Sequence, residues 1–589
     1  MKKLFIVLLI LTLFTFNIPS QASSLDTSVP YDTYTIGPKG RRILTQTAYN
    51  PAGRINYQVT LNAPEDLFIK EDLFYIADTG NKRIVKMNKQ GQLLMEITHP
   101  DFSQPTGVFV DDALEIYVAD KGSKLVFKFD EEGNYLDSFT KPTEPIFGEK
   151  SPYVPMKIAV GKRGNMYIVG EGSTSGIIQL NYTGEFLGFF GTNLAGTSFI
   201  QRLSKILNVN FAQNLPTSPS NVTIDEQGAV FTVSPTDAKR LKRFNIASVD
   251  TLDIQYTAEN LVSVTVNNIE NIYTLSSFGI ITEYDSYGHM IFEFGGLDDG
   301  TNRRLGLFVN PVAITVDSES NVYVLDKGTL SVEYFERSEF TMVVHKGLES
   351  FKDGIYDIEQ WHQVLKMNSM FALANSALGQ AEYRLGNYEE ALEYYELAYN
   401  QEGYSNAFWQ IRYTFMQNYL GWVFLSLILF FTTKKVLKVV DGHYQIYQPI
   451  RKVKKQMDTY KVYREMKLLF GMFKHPIDTF YDLKHRNKSS YLTASIIYLI
   501  AIIMSVMSIY LTSFIFRVTD LERFNIVSHT FTISVLFMLF VFANYLISTL
   551  NDGEGWFKDV FIGFAYALAP FIMLTIPIIL LSHVLTHYE

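Results

Sequence analysis

Apolar and polar positions give the first reading of this chain. Over residues 73–87 an apolar run reaches a turn at Asp78, Thr79 and Gly80 and is followed by a second, alternating run; the same pattern returns over 115–129 around Asp120 and Gly122. Period-two alternation around a short Asp/Gly turn predicts a β-hairpin, which cannot bury its apolar face alone. An aromatic anchor recurs at Tyr75, Tyr117, Tyr167, Phe231, Tyr273 and Tyr323, with gaps of 42, 50, 64, 42 and 50 residues. Repeats of roughly 40 to 50 residues with four short strands each predict propeller blades. Six anchors predict six blades over 31–345, the strands from 31 to 60 completing the last blade and latching the ring. Pro64, Pro105, Pro155, Pro219 and Pro311 stand at strand openings, where no ladder donor is lost.

Beyond the ring the period becomes helical. Gly379, Tyr383, Gly386, Tyr388, Ala391, Tyr395 and Ala398 predict a hairpin in which small residues let two helices approach and aromatics fill the gap. It would form a helical stalk over 355–413, read either as a rigid spacer or as a peptide-binding groove. Four apolar segments follow, 414–432, 490–513, 526–548 and 560–583, each near the length needed to cross a hydrocarbon core. Trp409, Tyr413, Tyr419 and Trp422 would anchor the first at the interface.

The turn Asp78, Thr79, Gly80, Asn81, Lys82, Arg83 and its echoes resemble the NHL-repeat family over roughly 55–340, most closely in the first two blades. The 378–398 stretch resembles a tetratricopeptide repeat, with Trp409 standing 34 residues after Asn375. Pro476, Phe480, the 544–550 phrase with Gly553 and Gly555, and Gly563, Ala565, Tyr566, Ala569 and Pro570 resemble the Yip family over about 465–583. That resemblance implies a polytopic membrane domain, usually of five spans; three are visible after the chain's own first span. Gly563 and the alanines would allow close helix approach, and Pro570 would kink its helix. Eukaryotic Yip relatives are linked to vesicle traffic, a role not carried over here.

Charge and targeting refine this plan. Residues 1–22 carry the basic, apolar and small-residue sections of a signal peptide, so the propeller is expected outside. The formal net charge of -9 is uneven: 49 acidic and 32 basic residues over 23–415, against 5 and 14 over 434–489. An acidic ectodomain argues against nucleic acid as partner. The basic excess places 433–489 in the cytoplasm, where Val453, Met457, Tyr460 and Tyr463 among the lysines predict a segment lying on anionic lipid over 434–488. Cysteine is absent, which removes thiolate and disulfide chemistry. A Gram-positive plasma membrane fits these features.

Candidate chemistry is sparse. His99, His289 and His345 occupy unlike blade positions, a poor basis for a zinc site. Glu65, Asp66, Asn221 and Asp326 could line the channel mouth and hold a calcium-like ion, an arrangement similar to lactonase-type propellers; alternatively Asp66 and Asn221 satisfy strand-end backbone groups. The insertion 191–218, with Phe199, Ile206, Leu207 and Phe211, reads as a lid that binds a ligand or partner, or as a packed loop. No nucleophile elbow, phosphate loop or paired-histidine motif is present, and no cofactor is expected. The fold class expected is therefore multidomain: an all-β six-bladed propeller, an α-helical hairpin and a transmembrane bundle. The function expected is a non-enzymatic surface protein whose propeller binds an extracellular ligand, such as a carbohydrate, or a protein partner, and whose membrane domain docks to membrane proteins such as transport subunits. The alternative is a tethered metal-dependent sugar-lactone hydrolase.

Overall fold

The computed structural model describes residues 29–55, 59–173, 175–191, 218–254, 256–298, 304–486, 488–550 and 556–589. Two compact units result, Met1–Leu373 and Ala374–Glu589.

The first unit is the six-bladed propeller. Blades one to three are four-stranded antiparallel sheets and blade four has three described strands. The first strands of successive blades (Asp66–Lys70, Pro105–Val110, Pro155–Val160, Asn221–Ile224, Leu261–Val266 and Pro311–Val316) pack side by side, and the sixth returns to the first. All six aromatic anchors are buried. Three of them face a cross-strand cation: Lys86 stands 5.4 Å from the Tyr75 ring, Lys128 5.5 Å from Tyr117 and Arg243 5.5 Å from Phe231. Buried aromatics with a cation over one face help to explain why this position repeats.

Ring closure divides the N-terminal strands between two blades. Tyr49–Ile55 pairs with Ser331–Arg337 and completes blade six, as expected. The hairpin Thr33–Gly37 with Arg41–Thr45 instead extends blade five, Tyr34 lying opposite Glu293. An aromatic seam accounts for this split: Tyr49 stacks on Phe294 at 4.9 Å, and Tyr31 and Phe335 reach the same ring at 5.8 and 5.9 Å.

The chain leaves the ring through helix Glu339–Lys352, capped by Ser338, whose Oγ accepts from the Thr341 amide at 3.2 Å. Phe340 packs on Phe292 at 5.6 Å, and Trp361 of helix Ile358–Met367 lies over Gly347, where a Cβ would meet the indole at 3.0 Å. Phe371 is fully buried against Phe292 and Phe340. The stretch 355–371, expected in the stalk, therefore belongs to the propeller unit, because blade five offers Phe292 as an apolar platform.

The second unit starts with the helices Ala372–Leu385, Tyr388–Ala398 and Gln401–Tyr444. Tyr395 fills the space between Gly379 and Gly403; a Cβ at Gly379 would meet its ring at 2.8 Å. Among the described residues, three helices are long and apolar enough to cross a membrane: Tyr491–Leu511, Ile526–Leu550 and Phe557–Ser582. The third breaks at Leu568, just before Pro570, as the kink expectation required. The expected first span, 414–432, is not among these three; it lies inside the helix Gln401–Tyr444.

Candidate functional site

The residues expected at the channel mouth have polar partners within the propeller. Asp66 opens the first strand of blade one; its carboxylate meets the Lys157 ammonium from blade three at 2.8 Å and accepts from the Val108 amide at 3.0 Å. Burial pushes the Asp66 carboxyl up, against the opposing pull of Lys157. Lys157 also donates to the Glu65 carbonyl at 2.7 Å, and the Glu65 carboxylate pairs with Lys327. Asn221 donates its amide to Ser263 Oγ at 3.4 Å. Asp326 is fully buried and accepts from the Val309, Asn310 and Gly328 amides at 2.8, 2.9 and 2.8 Å. It is a turn cap, equivalent to Asp120, which accepts from Ser103, Gln104 and Gly122 at 2.7, 2.9 and 2.9 Å. Among the described residues no three His, Asp or Glu side chains converge to hold a metal. Of the four channel-mouth residues, Asp326 caps a turn, Glu65 and Asp66 each face a lysine, and Asn221 faces Ser263.

A second constellation ties three elements together. Glu283 of blade five is fully buried and meets His345 Nε2 of the exit helix at 2.6 Å. It also accepts from Asn271 Nδ2 at 2.7 Å, the Tyr273 hydroxyl at 2.8 Å and the Tyr49 hydroxyl of the closing strand at 3.0 Å. Burial alone would push the Glu283 carboxyl up, but His345, Tyr273 and Asn271 together hold it below the usual range. Every group here is sealed from solvent, so the arrangement is a latch between blade five, the closing strand and the exit helix.

Access to solvent distinguishes the third constellation. A cleft of about 400 Å³ opens between the added hairpin, blade five and the approach to blade six, within the range of ligand sites. Arg42 lies 3.6 Å over the Tyr34 ring and pairs with Glu293 at 2.5 Å. Burial, then Glu293, pushes the neighbouring Tyr256 hydroxyl up to about 12. Phe278 and Leu297 expose apolar surface in it, and Arg304 is a further lining residue. Sequence reasoning missed this site because it depends on the hairpin joining blade five. The lid residues Phe199, Ile206, Leu207 and Phe211, the signal peptide and Gly553 and Gly555 lie outside the described residues.

In the second unit the membrane-domain motif forms a packed node. Tyr566 is fully buried; its hydroxyl donates to the Glu465 carbonyl at 3.0 Å and meets Ser489 Oγ at 2.9 Å. The buried Glu465 carboxylate accepts from Ser490 and Thr493 at 2.6 and 2.5 Å. Pro476 occupies the first turn of helix Pro476–His485. A Cβ at Gly563 would meet Phe480 at an ordinary 3.8 Å, so close packing falls to the buried Ala494, Ala565 and Ala569 rather than to that glycine. At the other end of the bundle Gln401 donates to the Phe514 and Arg517 carbonyls at 2.9 Å, and Arg412 grips Glu589 at 2.6 and 2.7 Å.

A six-bladed propeller followed by three apolar helices defines a membrane-anchored propeller protein. Residues 470–586 match the family model of the Yip1 domain. No curated protein matches the chain. Solved propeller structures similar to it include a streptogramin B lyase (12% identity, 49% of this chain and 97% of that one, TM-score 0.34). Others are virginiamycin B lyase from Staphylococcus aureus, in a catalytically inactive form with quinupristin (14% identity, 53% and 97%, TM-score 0.34), and Kuenenia stuttgartiensis hydrazine synthase (14%, 51% and 84%, TM-score 0.35). At these scores the likenesses carry no functional argument.

Proposed function

We propose that this chain is a non-enzymatic surface receptor or accessory subunit. Its propeller receives a ligand or partner outside the plasma membrane of a Gram-positive bacterium, and its Yip1 domain docks to other membrane proteins, such as transport subunits. The observation that carries the receptor reading is the open cleft of about 400 Å³ beside blade five, in a propeller whose described acidic residues assemble no metal site. Anchoring gains support from helix Gln401–Tyr444: Trp422, Leu429 and Phe431 are 69%, 66% and 63% exposed, and an apolar helix without protein cover belongs in lipid. At 44 residues it is about 66 Å long, enough for a fourth span with turns to spare. The basic loop after it puts that end in the cytoplasm. Helix Gln448–Met457, with Ile450 and Val453 exposed among Arg451, Lys452, Lys454 and Lys455, is suited to anionic lipid.

The test is native mass spectrometry of the protein solubilised gently from its own membrane. A stoichiometric membrane or transport subunit, or a retained small molecule, is the expected result. A bare chain that turns over sugar lactones would overturn the reading.

A further inference from the structure

Helices Leu468–Lys474 and Pro476–His485, joined by His475, carry apolar side chains on two faces. Leu469, Met472 and Leu483 are buried in the bundle core with Val541, Phe561 and Ala565. Away from the core, Phe470 and Phe473 share one face of the first helix and Ile477 and Tyr481 one face of the second, being three or four residues apart. All four are exposed, Ile477 at 83%. A helix that is apolar on both sides needs cover on both.

Position decides what supplies that cover. Leu468–Lys474 packs against both Phe557–Ala567 and Ala569–Ser582, and Pro476–His485 packs against Phe557–Ala567. Ala569 lies about 18 Å along the third span from Phe557, so the helix pair stands alongside the span rather than in the cytoplasm below it. The Tyr566 hydroxyl, bonded to the Glu465 carbonyl and to Ser489, ties the segments on either side of the pair to the same span. Apolar surface at the depth of a span faces acyl chains. Charge narrows the lipid. Residues 467–488 carry five basic and two acidic side chains. Asp482 is shared by Arg486 and Lys488, whereas Lys474 and Lys484, both exposed, have no ion-pair partner among the described residues. Lysine stems are long enough to lift their ammonium groups to lipid phosphates while apolar neighbours stay among the chains. We propose that this helix pair is seated in the cytoplasmic leaflet, with Phe470, Phe473, Ile477 and Tyr481 against acyl chains and Lys474 and Lys484 on the phosphates of anionic phospholipid. The inference rests on reading the C-terminal helices as a membrane anchor with a cytoplasmic basic loop, and deepens it by placing the last part of that loop inside the bilayer.

The experiment uses the full chain, which has no cysteine of its own, in nanodiscs of phosphatidylcholine and phosphatidylglycerol. Phe473→Cys and Ile477→Cys are labelled with bimane. Leu539→Cys, at an exposed site of helix Ile526–Leu550, reports lipid, and Glu132→Cys, on an exposed propeller turn, reports water. A doxyl group on a lipid chain should quench the labels at 473 and 477 as it quenches the one at 539, placing them at least about 5 Å below the phosphates; iodide should quench only the label at 132. Doxyl carried on phosphatidylglycerol should quench 473 and 477 at least about fivefold more strongly than the same share carried on phosphatidylcholine, the weight of one lysine at an anionic surface. Lys474→Gln combined with Lys484→Gln should erase that preference; both lysines are exposed, so circular dichroism should be unaltered. Quenching of 473 and 477 by iodide overturns the proposal. So does protection from both quenchers, which would put a protein partner over this face, or equal quenching by the two lipids. If the label at 539 stays in lipid, the anchor reading survives such a failure; if iodide reaches 539 as well, both fall.

Discussion

Replacing His345 with alanine tests the latch that joins the exit helix to the ring. In the native protein the Glu283 carboxylate has four partners within 3.0 Å, of which His345 is closest at 2.6 Å. Breaking a buried ion pair on one side costs about 3–5 kcal/mol, because the remaining charge loses its counter-ion. Three hydrogen bonds to Glu283 survive in His345→Ala, which puts the expected loss at the lower end, about 3 kcal/mol, or a fall in Tm of roughly 5 °C for a domain of this size. Trp361 reports it: it is 2% exposed, whereas Trp409, Trp422 and Trp556 are 42%, 69% and 78% exposed, so a red shift on heating follows the release of the exit helix. The pH dependence has a definite sign. Glu283 is held below the usual carboxylate range, so its stabilisation is complete above the unfolded pKa of about 4.3 and fades as pH falls through the lower folded value. In His345→Ala burial prevails and pushes that carboxyl up, which reverses the sign. The gap in Tm between wild type and variant should therefore be wide at pH 7 and close toward pH 4. A gap that is constant with pH, or a loss below about 1 kcal/mol, the level of an exposed pair, would refute the reasoning.

Other consequences follow from the same contacts. Asp326→Ala strips a buried cap from three backbone amides and should lower propeller stability by about 3–5 kcal/mol; chelators should leave the wild-type Tm unchanged, and a chelator-induced fall would restore the metal reading. Gly379→Leu drives a side chain into Tyr395 and should raise amide exchange across Ala372–Leu385 and Tyr388–Ala398 while leaving the propeller's exchange as it was. The Arg412 pair holds the Glu589 carboxyl down at about 2; this contact is in place above the unfolded pKa and is lost only as pH falls through about 2. Arg412→Met should thus speed exchange over 583–589 at neutral pH, and an unchanged rate would show the clamp to be idle.

Much of this architecture was legible because the propeller repeats its local chemistry. Period-two strands, opening prolines and Gly turns specify each blade without long-range knowledge, and the aromatic anchors mark the core. The repeat phase also marks Asp326 as a turn cap: it follows Tyr323 by three residues, as Asp78 follows Tyr75 and Asp120 follows Tyr117. What could not be read were pairings between distant segments. Nothing local says that 33–45 joins blade five while Tyr49–Ile55 joins blade six, and the cleft exists only because of that division. His345 likewise looked unplaced after the last blade, although it stands one turn after Thr341, which is buried on the same helix and bonds the Ala48 carbonyl, and it meets Glu283 of blade five.

The central claim, an exported propeller on a membrane anchor with a cytoplasmic basic loop, can be tested directly because the chain has no cysteine of its own. Glu132→Cys lies on an exposed turn of blade two and Lys452→Cys on the exposed helix Gln448–Met457. A membrane-impermeant maleimide applied to intact cells should label the first and spare the second, and both should label after permeabilisation. Labelling of Lys452→Cys alone in intact cells would invert the topology and contradict the account.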